Sequence, residues 1–169
     1  ILPTPAERYE LLRQYDLLPA QFILATIHRA ENADHAGNLG AILRELAALP
    51  LPVVLPLHPR TRHHAAEFGF PPLLDALRVV EPTGYREFVT LAGAAALIVS
   101  DSGGVQEEAT IVKRPVVVVR NSTERPEILG TFAHLVSPGP QIGEVARPLL
   151  QRIAQVHAEL AALPYPYGD

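Results

Sequence analysis

Two polar segments carry residue types suited to binding an anion. His28-Arg29-Ala30-Glu31-Asn32 follows the apolar run FILATI, and Asp101-Ser102-Gly103-Gly104 follows the apolar run ALIVS. Arginine is a forked donor for phosphate, and histidine donates a hydrogen bond or carries a proton. Paired glycines let the backbone approach a ligand closely, and the free N–H groups of a helix start favour negative charge. Together the two segments predict an anion site if the fold brings them side by side.

The same residues also have plain structural interpretations. Ser102 with two glycines is typical of an ordinary helix N-cap, because short glycine patterns are weak signals on their own. His28 and Arg29 also fit a capping histidine and a surface arginine. Position favours the functional interpretation, since both segments directly follow predicted strands.

Further candidates lie beside these segments. Glu107 and Glu108 fall in the first turns of the helix after Ser102, where a carboxylate stabilises the helix or accepts two ribose hydroxyls. Arg125, in the segment Thr123-Glu124-Arg125-Pro126-Glu127, pairs either with a phosphate or with Glu108 or Glu124. Phe88 fits an ordinary packing residue, and the functional alternative is that it stacks on a base.

Several classes of site are not supported. The first strand–helix turn lacks G-x-G-x-x-G, so we expect no nicotinamide dinucleotide in the usual place, and there is no P-loop. The chain has no cysteine, which excludes disulfides and thiolate chemistry. His58, His63 and His64 have no standard metal spacing, and we expect a solvated basic helix start and no metal.

The elements that must position these residues alternate between strand and helix. Continuous apolar runs predict six strands, at 22–27, 52–57, 77–80, 96–100, 115–119 and 134–136. Helical periodicity predicts helices at 5 to about 16, 38–49, 61–68, 85–92, 104–112 and 142–163, the last being one long helix or two abutting ones. This alternation is typical of an α/β fold with a doubly wound, Rossmann-like parallel sheet of about six strands. A strand order of 3-2-1-4-5-6 puts both polar segments at the switch point, between the first and fourth strands.

Composition sets the outer limits. The chain has 169 residues, a net charge of −4 and 48% hydrophobic residues, which suits one globular domain. The acidic balance argues against a nucleic-acid partner. No apolar run reaches the ~18 residues of a membrane span, and no signal peptide is visible. The chain starts at Ile1 and has no methionine, so we expect an excised or processed piece of a longer protein.

Taken together, these segments resemble the non-hydrolysing UDP-N-acetylglucosamine 2-epimerases. The resemblance also rests on Pro56-Leu57-His58-Pro59-Arg60, Pro115-Val116-Val117-Val118-Val119-Arg120 and Pro166-Tyr167-Gly168-Asp169, and it covers the chain from Phe22 onward. The most specific signal is Ser-Gly-Gly running into Gln-Glu-Glu, followed by Thr-Glu-Arg-Pro-Glu. The family pattern often has a second arginine where this chain has Ala30.

The resemblance implies one half of a glycosyltransferase-B architecture. Residues 1–169 would form a single Rossmann-like UDP-binding domain, the C-terminal half of a longer enzyme whose N-terminal domain and final helix are absent. Such enzymes are isomerases that interconvert UDP-N-acetylglucosamine and UDP-N-acetylmannosamine by eliminating and re-adding UDP, with no cofactor or metal. The acidic residues for proton transfer at C2 belong to the other domain, so we expect this chain alone to bind UDP weakly and to lack epimerase activity. The resemblance also implies a cytoplasmic homodimer that feeds surface polysaccharide synthesis.

The resemblance assigns roles residue by residue. His28, the candidate catalytic residue, and Arg125 would face the diphosphate, to which Ser102, Gly103 and Gly104 add donors. Arg29, which follows His28 at the end of the first strand, is a further candidate for the diphosphate because of its position. Glu108 would hold the ribose, and Phe88 would lie against the uracil near the Thr83 backbone. His58 matches a position tied to a second, regulatory UDP-N-acetylglucosamine molecule in bacterial members.

Three alternatives remain open at this point. A hydrolysing relative, which releases N-acetylmannosamine and UDP, shares most of these motifs. A glycosyltransferase of the same architecture has a different acidic arrangement near the nucleotide and needs an acceptor. A nucleotide-sensing module would lack cleft-facing carboxylates in a neighbouring domain.

Overall fold

The structure is a computed structural model that describes residues 2–123 and 125–167. Ile1, Glu124, Gly168 and Asp169 lie outside the described residues. These residues include the start of the chain, the predicted partner Glu124 and the final Gly-Asp of the tail motif.

The described residues form a six-stranded parallel sheet in the order β3-β2-β1-β4-β5-β6. The strands are β1 (Ile23–Thr26), β2 (Val53–Pro56), β3 (Arg78–Val80), β4 (Leu97–Ser100), β5 (Val116–Val119) and β6 (Ala133–Val136). This is the predicted order, and the α/β, Rossmann-like fold class is confirmed. The switch point lies between β1 and β4. Their last residues, Thr26 and Ser100, lie side by side in the parallel register.

Helices cover both faces of this sheet. The α-helices are α1 (Pro5–Gln14), α2 (Ala30–Ala33), α3 (Ala36–Ala47), α4 (Pro59–Glu67), α5 (Pro71–Leu74), α6 (Tyr85–Ala94), α7 (Gly103–Val112), α8 (Gln141–Gln151) and α9 (Ile153–Ala161). A short 3₁₀ turn spans Pro126–Ile128. Among the described residues, no helix has both the length and the apolar character needed to cross a bilayer.

The helix boundaries differ from the sequence expectations in a few places. The single-turn helices α2 and α5 were not predicted, because four residues are too few to show a helical period. Both α3 and α4 start two residues earlier than expected, since His35 and His58 act as their N-caps. The long C-terminal segment is two helices, separated by Arg152 at φ −125° and ψ 33°.

The core consists of two apolar layers, one on each face of the sheet. Alternate strand residues face opposite sides, so Leu24 and Ile98 join one layer while Ile23 and Val99 join the other. Helices α1, α6, α7 and α9 cover the first face, and α3, α4 and α8 cover the second. Both faces are buried, which is why the strands appear in the sequence as continuous apolar runs.

Candidate functional site

A buried carboxylate holds the turn after β1. Asp101 is fully buried and accepts hydrogen bonds from the backbone N–H groups of His28, at 3.1 Å, and Arg29, at 3.0 Å. The side-chain amide of Asn32 donates to the same carboxylate at 3.0 Å and to the carbonyl of Val119 at 3.1 Å. This cluster, the Asp101 brace, ties together the ends of β1, β4 and β5.

The N-terminus of α7 opens beside this turn. Ser102 is its N-cap, and the hydroxyl oxygen accepts a hydrogen bond from Val105 N at 3.4 Å. Gly104 is exposed, and a Cβ placed on it would have Ser102 Oγ, at 3.8 Å, as its nearest neighbour. The first N–H groups of a helix have no partner within the helix. The end of α7 therefore offers donors and open space to an anion.

Two adjoining cavities of about 230 Å³ each form a cleft at this edge of the sheet. The first is lined by Thr26, His28, Phe88, Ser102, Gly104, Val105 and Glu108. The second is lined by Thr26, Ile27, His28, Pro56, His58, Pro82, Thr83 and Phe88. The two cavities share Thr26, His28 and Phe88, so these residues form the waist of a continuous cleft.

The cleft brings most of the predicted residues together. His28, Phe88, Ser102, Gly104 and Glu108 line its first cavity. Thr83 and His58 line the second cavity, and Gly103 is the first residue of α7.

Arg29 faces a different partner. Its Nε lies 3.3 Å from a carboxylate oxygen of Glu31, and both side chains are partly exposed. Arg29 does not line either cavity, and its contact with a phosphate stays a prediction.

His58 has a structural role as well as a place in the cleft. Its Nδ1 accepts a hydrogen bond from Arg60 N at 3.1 Å and so caps α4. His63 and His64 lie on that helix and pair with Glu67 and Asp34. Among the described residues, no three His, Cys, Asp or Glu side chains are grouped so that they could hold a metal ion.

Glu108 lies in a partly buried position on the cleft wall. Burial, and after it the negative charge of Glu107, raise the pKa of Glu108. A carboxylate with this environment gains from hydrogen-bond donors that replace the water it has lost. Two neighbouring hydroxyl groups of a ligand would be such donors.

Arg125 does not line either cavity and lies beside α7, where it contacts Glu107. Its guanidinium pairs with Glu107. The sequence suggested Glu108 or Glu124 as the partner, and Glu124 lies outside the described residues.

The backbone N–H of Arg125 donates to Thr123 Oγ1 at 3.0 Å, and that hydroxyl donates to the buried amide oxygen of Gln106 at 2.7 Å. The Nε of Arg125 is buried without a hydrogen-bond partner among the described residues. A guanidinium with a spare donor is suited to an incoming oxyanion.

Sequence analysis missed the residues beneath the cleft. Asp101 was noted only as part of a polar segment, and its bonds to His28 and Arg29 join residues more than 70 positions apart. Its signal was a charged residue directly after the buried run ALIVS, because a buried charge needs nearby donors. Thr26 and Ser100, whose hydroxyl oxygens lie 2.8 Å apart, gave no signal in the sequence.

The sheet order and a cleft at its switch point define an α/β domain of the Rossmann-like class. In such sheets ligands bind at the carboxyl ends of the strands beside the switch point. Residues 3–169 match the family model of UDP-N-acetylglucosamine 2-epimerase. The chain therefore belongs to the UDP-N-acetylglucosamine 2-epimerase family.

Individual relatives agree with this assignment. The chain is 39% identical over 144 residues to UDP-2,3-diacetamido-2,3-dideoxy-D-glucuronate 2-epimerase of Pseudomonas aeruginosa, covering 82% of this chain and 40% of that protein. It superimposes on UDP-GlcNAc 2-epimerase from Neisseria meningitidis bound to UDP-GlcNAc, with a TM-score of 0.76, 30% identity and coverage of 97% and 46%. The Methanocaldococcus jannaschii UDP-GlcNAc 2-epimerase in complex with UDP-GlcNAc and UDP gives a TM-score of 0.72, 28% identity and coverage of 95% and 45%. The chain thus spans about half the length of the relatives it matches.

Proposed function

We propose that this chain binds UDP in the cleft at the switch point and supplies the UDP site of a UDP-N-acetylglucosamine 2-epimerase. The observation that carries the proposal is the convergence of His28, Phe88, Glu108 and the α7 N-terminus on one cavity between β1 and β4. The two matched structures that hold a UDP-sugar or UDP support the choice of ligand.

Each residue has a distinct part in this proposal. The hydroxyl of Ser102 and the N–H groups of Gly103 and Gly104, with Arg125, bind the diphosphate, and His28 donates to it as it departs. Glu108 accepts hydrogen bonds from the ribose hydroxyls, and Phe88 lies against the uracil beside Thr83. In an elimination the leaving diphosphate gains negative charge, so donors fixed at that position lower the barrier.

The chemistry at C2 requires groups that lie outside this cleft. Removing and returning the C2 proton needs an acid and a base on the sugar side of the diphosphate. In the proposed enzyme these groups come from the portion of the relatives that this chain does not match. On this proposal the chain is the UDP-binding half of a glycosyltransferase-B arrangement, and the 169 residues alone bind UDP without epimerase activity.

The proposal extends to location and assembly. A nucleotide-sugar substrate supports a cytoplasmic location, and the family resemblance supports a homodimer of the complete enzyme. Light scattering on the complete enzyme tests the dimer directly, and a monomeric mass contradicts it.

A second candidate concerns the sugar. The Pseudomonas relative acts on a UDP-2,3-diacetamido-glucuronate and is as similar to this chain as the UDP-GlcNAc enzymes are. Both substrates carry UDP, so the cleft described here suits either. Turnover of each UDP-sugar by the protein that carries this chain decides between them.

Calorimetric titration of the 169-residue chain with UDP tests the binding proposal. We expect saturable binding that Ser102→Ala and Arg125→Ala both weaken by about tenfold, the size of a lost hydrogen bond to a charged group. Arg152→Ala is the matched control, because Arg152 pairs with Glu159 near the far end of the sheet. Absence of binding, or equal effects from Arg125→Ala and Arg152→Ala, contradicts the proposed site.

A further inference from the structure

Thr26 lies at the waist of the cleft and has no role in the assignments above. It is the last residue of β1, and it lines both cavities together with His28 and Phe88. Its hydroxyl lies 2.8 Å from the hydroxyl of Ser100, which is fully buried at the end of β4. A ligand that occupies both cavities must therefore pass over Thr26.

The direction of the Thr26–Ser100 hydrogen bond follows from the bonds of Ser100. A serine hydroxyl has one hydrogen to donate and two lone pairs to accept with. Ser100 Oγ already accepts a hydrogen bond from Ser102 N at 3.0 Å. In the described part of the chain, Thr26 is the acceptor that the structure offers to the Ser100 hydrogen. A buried hydroxyl that does not donate leaves a polar hydrogen unpaired, which costs free energy.

Ser100 therefore donates to Thr26, and the hydrogen of Thr26 is left to donate into the cleft. The order of donation runs from Ser102 N to Ser100, from Ser100 to Thr26, and from Thr26 to the ligand. Successive hydrogen bonds of this kind strengthen one another in a buried setting. A donor in this position, between His28 and the end of α7, matches an acceptor oxygen that carries negative charge.

We propose that Thr26 is a ligand-binding residue whose hydroxyl donates a hydrogen bond to a phosphate oxygen of the bound nucleotide. The proposal rests on the proposed UDP site and adds to it a contact from the floor of the cleft. Thr26 would then separate nucleoside diphosphates from nucleosides, because a nucleoside lacks the oxygen that this hydroxyl binds.

The test compares UDP and uridine on variants that differ at one hydroxyl. Thr26→Val removes the hydroxyl at constant shape, and Thr26→Ser keeps it. Thr90→Val is the matched control, because Thr90 is also buried but donates to Arg86 O within α6. UDP binding is measured by calorimetry, uridine binding by NMR titration, and folding by thermal melting.

We expect Thr26→Val to weaken UDP binding by about tenfold and to change uridine binding by less than about twofold. Thr26→Ser and Thr90→Val keep the UDP affinity of the parent chain. Equal UDP binding by Thr26→Val and the parent overturns the inference and leaves the proposed function standing. Equal losses for UDP and uridine also overturn it, since the hydroxyl then serves the nucleoside or the fold. Absence of UDP binding by the parent overturns the proposed function itself, and the Thr26 contact with it. If Thr26→Val fails to fold, Thr26→Ala against Thr26→Ser gives the same comparison.

Discussion

Replacing Asp101 with asparagine tests the Asp101 brace without changing its shape. The new amide oxygen can stay near Arg29 N and the Asn32 amide, which both lie 3.0 Å from one carboxylate oxygen. Its NH₂ group then faces the N–H of His28, which lies 3.1 Å from the other oxygen. The His28 N–H keeps only its longer contact, at 3.3 Å to the retained oxygen, and the new NH₂ group meets this N–H where an acceptor stood.

The expected cost follows from these contacts. Hydrogen bonds to a charged group contribute roughly 1 kcal/mol more than neutral ones, so the two retained bonds lose about 2 kcal/mol together. The new NH₂ group is a buried donor that faces another donor, which costs about 1–3 kcal/mol. Asp101→Asn is therefore expected to lower the free energy of unfolding by about 3–5 kcal/mol, a large part of the 5–15 kcal/mol typical of a domain.

Urea unfolding followed by circular dichroism measures this loss. Asp75→Asn is the matched control, because Asp75 is exposed at the end of α5 and its change is expected to stay within about 0.5 kcal/mol. A loss below about 1 kcal/mol for Asp101→Asn, with an unchanged denaturant slope, refutes the assignment of these three bonds to a charged carboxylate.

Three further predictions concern the cleft and the helix beside it. Gly104→Ala is expected to stabilise α7 by about 0.5–1 kcal/mol yet weaken UDP binding, because its methyl group enters the open space of the cleft. Gly93→Ala is the control, because Gly93 lies in α6 and a methyl group there would have ordinary contact with Val112 of α7. It is expected to stabilise the fold and leave UDP affinity unchanged, and thermal melting and calorimetry on both variants measure these effects. Burial, and after it Glu107, raise the pKa of Glu108. As pH falls through that pKa the carboxylate becomes protonated, and the UDP affinity that depends on its negative charge is expected to fall with it. Glu107→Gln is expected to move this loss to lower pH, and calorimetry across mildly acidic buffers that shows no such shift contradicts the assignment of Glu108 to the ribose. A hydrogen bond to Glu87, with burial, raises the pKa of Tyr15 to about 12. The stability from this contact is therefore fully present below the pKa of about 10 in the unfolded chain, and it is lost as pH rises through the pKa in the folded chain. Tyr15→Phe is expected to cost about 1 kcal/mol at neutral pH and less above the folded pKa, which urea unfolding at two pH values measures.

The sheet and most of the cleft could be predicted because their signals are local. Each strand is a short apolar run, and the rule for doubly wound sheets then places His28 and Ser102 at one edge. Glu108 was a candidate because it falls in the first turns of the helix after Ser102, and the family resemblance supplied the role of Phe88. The comparisons do not favour the hydrolysing, glycosyltransferase or sensor alternatives over the epimerase family.

The remaining details depend on contacts between distant parts of the chain. Whether Arg125 meets Glu107 or Glu108 depends on a contact between residues from two different elements, and no local pattern in the sequence predicts that. The bonds of Asp101 and the Thr26–Ser100 pair both require β1 and β4 to be neighbours. The helix α2 is held by its place after the braced turn, since four residues cannot form a stable helix in isolation.

The Asp101 brace holds residues 28 and 29 through their main-chain N–H groups, and the His28 ring adds only a longer contact, with Nε2 3.8 Å from the same carboxylate. The shape of this turn therefore depends mainly on main-chain donors, which every residue except proline supplies. For protein engineering this separates scaffold from chemistry. Libraries randomised at these two positions are therefore expected to keep the fold while changing the groups that face the ligand.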